Sequence, residues 1–375
     1  MAEPRVSADR LLSDLAALAA IGGRPDGGVD RVAGSEADRQ ARRWVAGALR
    51  ATGCEVELDA LGTVIGRPAG SRGPWLLVGS HTDTVPAGGR LDGAYGVVAA
   101  LELRRALVEV RHPAAERVAV VDFADEEGVG GGGGVAGSTA LAASDAAAGF
   151  SGYLELHIEQ GPRLEAEGLD LGVVEGIVGI QRWQVRFLGE ANHAGTTPLH
   201  LRKDAGAAAG RLMAELPHLL PRVDPALVGN AGRLTLAPGA PNVVPGLAEL
   251  MVELRALEPA PLQEAAEQVR AQALAAAEEF RCTVTLEPAG AVPRALMDAD
   301  LVARLERACE ESGRSWRRLV SGAGHDAGAL AGRLPCAMLF VPSRGGVSHS
   351  PAEDTDPDHL VLGAQVLLRA VLGFG

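Results

Sequence analysis

The sequence predicts an α/β protein with a mainly parallel sheet, helices on both sheet faces, and an inserted α+β domain. Two observations carry this prediction. Residues 75–123 run from an apolar stretch through a helical pattern to a second apolar stretch, as in a β-α-β unit of parallel strands. From about residue 177 to residue 289 the pattern becomes strand, helix, strand, strand, helix, strand, as in a ferredoxin-like layer. We therefore expect a discontinuous larger domain, residues 1–176 and 290–375, interrupted by a smaller one at 177–289.

Each element follows from the spacing of apolar residues and from the turn residues around it. In the larger domain we expect strands at residues 75–78, 117–123, 153–158 and 336–341, and helices at 96–110 and 360–372. In the insert we expect strands in QRWQVRFLG, GRLTLAP, LAELMVELRAL and CTVTLEP, and helices at 205–216 and 262–280.

Composition limits which cellular compartment and which classes of binding partner the sequence predicts. The 375 residues carry a formal net charge of -13, which argues against nucleic acid or an anionic membrane as a partner. No stretch approaches the roughly 18 apolar residues of a membrane span, and charges interrupt the leucine pattern of the N-terminus, so export is not expected. The four cysteines are widely spaced without C-x-x-C, so we expect neither a disulfide framework nor a zinc knuckle, and we predict a reduced cytoplasm.

Polar clusters follow four strand-like runs. They are His81 with Asp83 and Asp92, the triplet Asp125-Glu126-Glu127, His157 with Glu159 and Gln160, and His349 with Glu353. In an open α/β sheet, ligands bind at the carboxyl ends of the strands, because the loops there converge on one crevice. We therefore expect the four clusters to face one cavity.

These clusters offer imidazole and carboxylate groups, which together suit divalent ions such as Zn²⁺, Mn²⁺, Co²⁺ and Ni²⁺. A carboxylate can bridge two ions about 3.5 to 4 Å apart, and such a pair activates water and polarises a carbonyl. A single histidine of this kind is more often structural. Four clusters at four strand ends favour a metal centre, and three histidines with two acids would suffice for two ions.

The acids at positions 126 and 127 could divide two roles, since a hydrolase that activates water needs a ligand and also a base that is not a ligand. Two solvated surface acids are the alternative. Asp83, two residues after His81, is predicted to orient that imidazole through its second nitrogen. A simple turn aspartate is the alternative for Asp83.

Six sequence blocks, spread over nearly the whole chain, carry a resemblance to a known family. The blocks are GSHTDTVPAGGRLDGAYG, DFADEEG, ELHIEQGP, NHAGTTPLHLRKDA, APNVVPG, and SGAGHDAGAL with the following VPSRGGVSHSPAED. They resemble the dinuclear metallohydrolases of the N-carbamoyl-L-amino-acid hydrolase, allantoate amidohydrolase and β-ureidopropionase group, relatives of the aminoacylases and dinuclear metallopeptidases. The short gap between His81 and Asp92 is more similar to the carbamoylase branch than to the peptidases.

The resemblance implies two divalent metal ions that share one carboxylate. One ion would be held by His81, Asp92 and His157, and the other by Asp92, Glu127 and His349. Glu126 would act as the general base and acid. The larger domain would be catalytic, and the insert would be a lid and dimerisation domain.

The resemblance also implies residues that contact the substrate. His193 would reach the site of the partner subunit and stabilise the tetrahedral oxyanion there, which requires a homodimer. Gln160, Asn242 and Arg255 match positions that grip substrate, with Arg255 as the clamp on an α-carboxylate. His325 is expected near the site, and a buried hydrogen-bonding histidine is an equal alternative.

We therefore expect a cytoplasmic homodimeric amidohydrolase that cleaves a linear C–N amide in a small substrate bearing a carboxylate. The favoured substrate is an N-carbamoyl-L-amino acid or allantoate, attacked by a metal-bridging hydroxide. An aminoacylase or peptidase with the same metals is the nearest alternative, and a noncatalytic homologue that binds a small carboxylate or a partner protein is the next.

The glycine run at residues 130–134 is too irregular for a G-x-G-x-x-G fingerprint, so we interpret it as a flexible loop. A phosphate cradle in a nucleotide-binding protein is the remaining alternative. The run stands where the family usually has an aromatic-containing stretch, and the segment between Glu127 and His157 is shorter than usual, which weakens any transfer of substrate identity.

Overall fold

The computed structural model describes residues 3–131 and 133–374. The chain divides into two compact units, and unit 2 is Val178–Arg294, while unit 1 comprises the residues before and after it. The sequence predicted an insert at 177–289, and the last strand of unit 2 continues past that end to Val292.

Fifteen strands occur among the described residues. In chain order, β1 to β15 are Cys54–Leu58, Val64–Pro68, Trp75–His81, Val118–Phe123, Phe150–Ile158, Leu171–Ile177, Gly179–Leu188, Asn192–His193, Val228–Ala237, Val243–Val244, Leu247–Ala256, Thr283–Val292, Ala295–Leu296, Trp316–Ser321 and Cys336–Val341.

Ten α-helices occur in the same described ranges. In chain order, α1 to α10 are Ala8–Ala20, Glu36–Ala51, Ala94–Glu109, Ala136–Ala143, Arg163–Glu167, Ala205–Val223, Pro259–Glu279, Ala299–Ser312, Asp326–Leu330 and Pro357–Leu372. Short 3₁₀ helices lie at Pro113–Glu116, Asp145–Gly149, Leu199–Leu201 and Arg344–Gly346. Within residues 3–131 and 133–374, no helix has both the length and the apolar character needed to cross a bilayer.

Unit 1 is built on a nine-stranded sheet whose centre is parallel. The central order is β4-β3-β5-β15, and these neighbours run parallel, while β2 and β6 flank them as antiparallel strands. Every residue of β4 and β15 is buried, as expected for a sheet covered on both faces. The predicted α/β class with a mainly parallel sheet is confirmed.

The central strands extend further than the apolar runs suggested, and this positions the polar clusters. The run expected at 75–78 continues through Gly79 and Ser80 to His81, the last residue of β3. His157 is the penultimate residue of β5. Because the parallel strands end at one edge of the sheet, both imidazoles are delivered to that edge.

Unit 2 has the strand order β12-β7-β11-β9, with every neighbour antiparallel. Residues of β11 alternate between half-buried and buried, and the buried ones pack with α6 and α7 in one core. The sequence of elements β7-α6-β9-β11-α7-β12 is that of a ferredoxin-like layer.

The predicted end of the first insert helix at residue 216 is wrong. Helix α6 continues to Val223 with Pro217 and Pro221 inside it. Proline lacks an N–H and usually breaks a helix, but Leu219 and Leu220 are 7% and 3% exposed in the core of unit 2. Packing of this last stretch outweighs the local preference to stop.

Candidate metal centre

The structure brings the five predicted metal ligands together at the carboxyl edge of the unit 1 sheet. They form two groups of three, and within each group the ligand atoms lie within 4.8 Å of one another. The groups are His81 with Asp92 and His157, and Asp92 with Glu127 and His349. The family resemblance implied the same two ligand sets, and in the structure the members of each set lie close together.

Asp92 is common to the two groups, and each of its oxygens faces one of them. Its Oδ1 lies 3.1 Å from Nε2 of His157 and 3.7 Å from Nε2 of His81. Its Oδ2 lies 3.2 Å from Nε2 of His349. A carboxylate placed in this way can contribute one oxygen to each of two cations, which is the arrangement of a bridging ligand.

His81 and His157 direct their Nε2 atoms at the site because backbone carbonyls hold their Nδ1 atoms. Nδ1 of His81 lies 3.0 Å from the carbonyl oxygen of Asp83, and Nδ1 of His157 lies 2.8 Å from that of Ile158. A carbonyl only accepts, so each Nδ1 carries a proton, and each ring can offer an Nε2 lone pair to a metal once Nε2 is deprotonated. Such outer contacts fix the orientation of metal-binding histidines.

The Asp92 carboxylate raises the proton affinity of two imidazoles in the site. Burial alone would lower the pKa of His157, but the hydrogen bond with the Asp92 carboxylate raises it to about 9. The hydrogen bond to Asp92 likewise raises the pKa of His349 to about 9, against the opposing effect of burial. Metal binding must displace these protons, so affinity for a metal falls as pH falls.

Gly93 allows the chain to pass close over His81 between Asp92 and α3. A Cβ at this position would lie 2.3 Å from Nε2 of His81, and the backbone φ of 62° is one that favours glycine. Gly93, the first glycine of the D-G-A-Y-G stretch that begins at Asp92, is therefore needed for the close packing of the backbone against the His81 ring.

The imidazole and carboxylate groups of the site suit a divalent cation. The clearest indication is the environment of Glu127. Its Oε2 lies 3.3 Å from Nε2 of His349, while its Oε1 is buried without a hydrogen-bond partner. Burial, followed by the charge of Asp92, raises the pKa of Glu127 to about 7. An unpaired buried carboxylate oxygen is costly, and a cation would satisfy it. Imidazoles and carboxylates are the donor set that borderline divalent ions prefer.

Glu126 lies beside both groups without belonging to either of them in the described part of the chain. Its side chain is 9% exposed, and its Oε2 lies 3.6 Å from Nε2 of His81. Burial raises the pKa of Glu126 well above its usual range, and the charges of Asp326 and Glu127 raise it further. A carboxylate with increased proton affinity next to the metal groups has the properties of a general base.

Asp83 contacts the second nitrogen of His81 as predicted, and the contact is made by its backbone carbonyl rather than by its carboxylate. Oδ1 of Asp83 lies 3.8 Å from Nδ1 of His81, and the backbone carbonyl of Asp83 takes that hydrogen bond. The carboxylate instead accepts the backbone N–H groups of Glu126 at 3.3 Å and Glu127 at 3.2 Å. These two N–H groups lie at the bend after β4, where Asp125 has a φ of 51°. Asp83 therefore positions the acid pair.

A buried arginine supports Asp83, and no sequence pattern predicted this contact. Arg42 of α2 is 4% exposed and forms ion pairs with Asp38 at 2.8 Å, Asp122 at 3.4 Å and Asp83 at 3.5 Å. It lies next to the exposed Arg43 in an amphipathic helix, so its spacing alone does not distinguish it from a surface residue.

Glu353 supports the backbone around Asp92. Its Oε1 accepts the backbone N–H groups of Leu91 at 2.9 Å and Asp92 at 3.0 Å. Ser348 Oγ lies 2.8 Å from Glu353 Oε2 and 3.1 Å from Asp92 Oδ2. In the sequence, the only indication that Glu353 belongs to the site was its nearness to His349. Glu353 fixes the backbone at Asp92, the shared ligand.

Replacement of Asp83 by Ala is expected to lower metal affinity by about 10- to 100-fold, the usual effect of losing an outer-shell partner. The N–H groups of Glu126 and Glu127 lose their acceptor, so both carboxylates lose their positions. Competition with a graded series of chelators measures the affinity. Exposed Asp145 provides the control variant Asp145→Ala, and wild-type metal affinity in Asp83→Ala would contradict the assignment.

Gln160 and His325 lie next to the ligands. Nε2 of Gln160 donates to Oδ2 of Asp92 at 2.8 Å, and its Oε1 is buried without a partner. The His325 ring is 4.7 Å from the His157 ring, and its Nε2 lies 2.9 Å from Oγ of Ser321. Burial lowers the pKa of His325 well below its usual value, so this ring is neutral. The two interpretations of His325 are compatible, since it is near the site and also buried with a hydrogen bond.

The remaining predicted residues belong to unit 2. His193 of β8 accepts the backbone N–H groups of Gly195 and Thr196 on its Nδ1, both at 3.1 Å, so the neutral ring carries its proton on Nε2. The carbonyl of Asn242 accepts from Ala194 N at 2.9 Å, which places Asn242 beside His193. Arg255 lies on β11.

The glycine run does not form a phosphate cradle in its described part. The Asp125 carboxylate accepts the backbone N–H of Gly130 at 2.9 Å, so an acid already occupies a donor that an anion would need. Residue 132 of the predicted loop lies outside the described residues.

Comparison with known proteins gives consistent matches over most of the chain. The model of "Peptidase family M20/M25/M40" matches residues 77–373. An N-carbamoyl-L-amino acid amidohydrolase of Geobacillus stearothermophilus is 34% identical over 98% of both chains, and an allantoate amidohydrolase of Bacillus subtilis is 34% identical over 93% of both. A crystal structure of an amidase of the hydantoinase/carbamoylase family from Burkholderia multivorans superposes with a TM-score of 0.92, at 31% identity and 98% coverage of both chains.

Proposed function

The chain belongs to peptidase family M20/M25/M40 and is a hydrolase that acts on amides, and we propose that it cleaves the ureido group of a small carboxylate such as an N-carbamoyl-L-amino acid or allantoate. The position of Asp92 carries the proposal. One carboxylate is shared by two groups of ligands, and the acid Glu126 lies beside both. The substrate class comes from the relatives named above.

Two divalent ions, Mn²⁺, Zn²⁺, Co²⁺ or Ni²⁺, are part of the proposal. One group of ligands would hold each ion, with Asp92 between them. When bound, such a pair lowers the pKa of a water molecule and polarises the amide carbonyl.

Glu126 moves the proton in the proposed reaction. Its carboxylate accepts a proton from the attacking water and returns it to the leaving nitrogen. The raised pKa of Glu126 suits both steps, because the group must hold the proton between them. For an N-carbamoyl amino acid, addition of water yields the free amino acid, carbon dioxide and ammonia.

Residues of unit 2 complete the proposed machinery. The Nε2–H of His193 would donate to the oxygen on which negative charge develops, and His193 would come from the partner subunit. Asn242 and Arg255 would bind the substrate, and the guanidinium of Arg255 suits a carboxylate. Gln160 of unit 1 would contact the ureido group.

A homodimer is proposed, and the edge strand β9 supports it. Strand β9 ends the four-stranded sheet, with β11 as its neighbour. Val228, Leu234 and Leu236 on this strand are 48%, 40% and 37% exposed. An apolar edge strand is a template for pairing with another chain, so a second copy would cover it.

The double substitution Leu234→Lys with Leu236→Lys is expected to convert the dimer to a monomer, because charged side chains block pairing of an edge strand. Light scattering after size exclusion measures the mass. Leu274→Lys is the control, since Leu274 is 55% exposed on α7 and away from this edge. A dimeric mass for the double variant would contradict this interface.

A cytoplasmic location is also proposed. All four cysteines are free, and three of them are buried. Free thiols without disulfides are typical of a reducing compartment.

An assay of ammonia and amine release tests the substrate class. The protein is reconstituted with Mn²⁺ and given allantoate, N-carbamoyl-L-amino acids, 3-ureidopropionate, N-acetyl amino acids and dipeptides. We expect turnover of a ureido compound. Turnover of N-acetyl amino acids or dipeptides alone would identify an aminoacylase or peptidase, and turnover of none would favour a noncatalytic homologue.

A further inference from the structure

The sheet of unit 2 has a polar face opposite α6 and α7, and this face carries two cross-strand ion pairs. The strand register places Arg182 of β7 opposite Glu253 of β11, and Arg186 opposite Glu249. The first pair is joined by a third charge, because Arg255 lies on the same side of β11 as Glu253. The two pairs therefore differ in composition although they lie on the same two strands.

Glu253 is shared between two guanidinium groups, one on each carboxylate oxygen. Its Oε2 accepts from Nε of Arg182 at 2.6 Å. Its Oε1 lies 2.7 Å from both Nε and Nη2 of Arg255. Burial would raise the pKa of Glu253, but the hydrogen bonds and charges of Arg255 and Arg182 hold it below its usual value. The carboxylate is thus ionised, and the trio of Arg182, Glu253 and Arg255 carries a net charge of about +1 at neutral pH.

The net charge of the trio matters for an anionic substrate. Arg255 with Glu253 alone is a neutral pair, and an approaching carboxylate would meet the negative Glu253 as well as the guanidinium. Arg182 offsets the charge of Glu253, while Glu253 holds the guanidinium of Arg255 in a fixed orientation. The Arg186–Glu249 pair, with Nε 2.5 Å from Oε1, is neutral, and among the described residues no third charged group is ion-paired with it.

We propose that Arg182 and Glu253 are positioning residues for recognition of the substrate carboxylate, acting through Arg255. The inference rests on the proposed function, in which Arg255 binds that carboxylate. It predicts that Arg182 influences substrates that carry a carboxylate and has no effect on those that lack one. A purely structural ion pair would affect both kinds of substrate equally.

The test compares N-carbamoyl-L-alanine with N-carbamoyl-L-alaninamide, which differ in the carboxylate alone. In Arg182→Gln we expect KM for the acid to rise about tenfold, with kcat nearly unchanged, because one nearby positive charge is lost. KM for the amide should stay at the wild-type value. Arg182→Lys should recover part of the loss, since it restores the charge without the planar guanidinium.

Arg186→Gln is the matched control, since it removes the same charge from the same strand and the same face. It should leave KM for both compounds unchanged. An equal rise of KM for acid and amide in Arg182→Gln, or the same effect in Arg186→Gln, would overturn the inference. No change of KM in Arg182→Gln would also overturn it.

Failure of the proposed function gives a different result. If the wild-type protein hydrolyses neither compound, the proposed ureido chemistry fails, and calorimetric binding of the same two compounds to the metal-loaded protein decides the inference. Weaker binding of the acid alone in Arg182→Gln supports it. Equal affinities of wild type and Arg182→Gln for the acid overturn it.

Discussion

Replacement of Glu126 by Gln is expected to lower kcat by about 10²- to 10⁴-fold, the usual contribution of a general base. The amide has nearly the shape of the carboxylate and cannot accept a proton from water. Glu126 lies outside both groups of ligands, so the metal content should stay at the wild-type value. The combination of a large loss of turnover and an unchanged metal content distinguishes a base from a ligand.

The pH profile gives an independent measure of the same role. A base acts in its ionised form, so kcat/KM of the wild type should rise with pH as Glu126 loses its proton. Burial and neighbouring acids raise the pKa of Glu126, so this rise should lie above the range of an ordinary glutamate. The rise should be absent from the residual activity of Glu126→Gln.

The exposed Glu55 supplies the control variant Glu55→Gln, which should leave turnover unchanged. Metal content is measured by elemental analysis of the dialysed proteins. Wild-type turnover in Glu126→Gln would exclude this residue as the base. A loss of metal together with turnover would show that Glu126 is a ligand.

The sequence predicted the parts of the fold that depend on local pattern. The strands β4 and β15 are buried along their whole length, and such strands are continuous apolar runs that can be recognised without tertiary information. The end of α6 could not be predicted in this way. Its extension through Pro217 and Pro221 depends on where Leu219 and Leu220 pack, and packing is not visible in a local window.

In the site, too, some features could be predicted from the sequence and others depend on tertiary structure. His81 and His157 lie at the carboxyl ends of strands and the acid pair follows a strand, so topology alone places them at one edge. The exchange of roles at Asp83, whose carbonyl holds the imidazole while its carboxylate holds two N–H groups, depends on backbone directions at two bends. Arg42 reaches the site from a helix far away in sequence. Residue type and spacing contain no information about either contact.

Replacement of Asp92 by Asn is expected to remove both ions and to reduce hydrolysis to the background rate. Asp92 is the residue that the two groups share, so its loss weakens both at once, whereas substitution of any other ligand weakens one. A neutral amide oxygen is a poorer ligand for divalent ions than a carboxylate. Elemental analysis should show two ions per wild-type chain and none in Asp92→Asn.

Thermal unfolding separates loss of metal from loss of fold in this variant. A ligand that binds the native state at 100 times its Kd stabilises that state by about 2.7 kcal/mol, so adding a chelator should lower the Tm of the wild type. In Asp92→Asn, the Tm with metal and with chelator should coincide, while Glu126→Gln should keep the full wild-type difference. Because both substitutions reduce turnover, the metal content and the metal-dependent Tm are the measurements that distinguish the base from the bridge. Retention of two ions by Asp92→Asn would show that the ligands form two separate sites without a shared carboxylate.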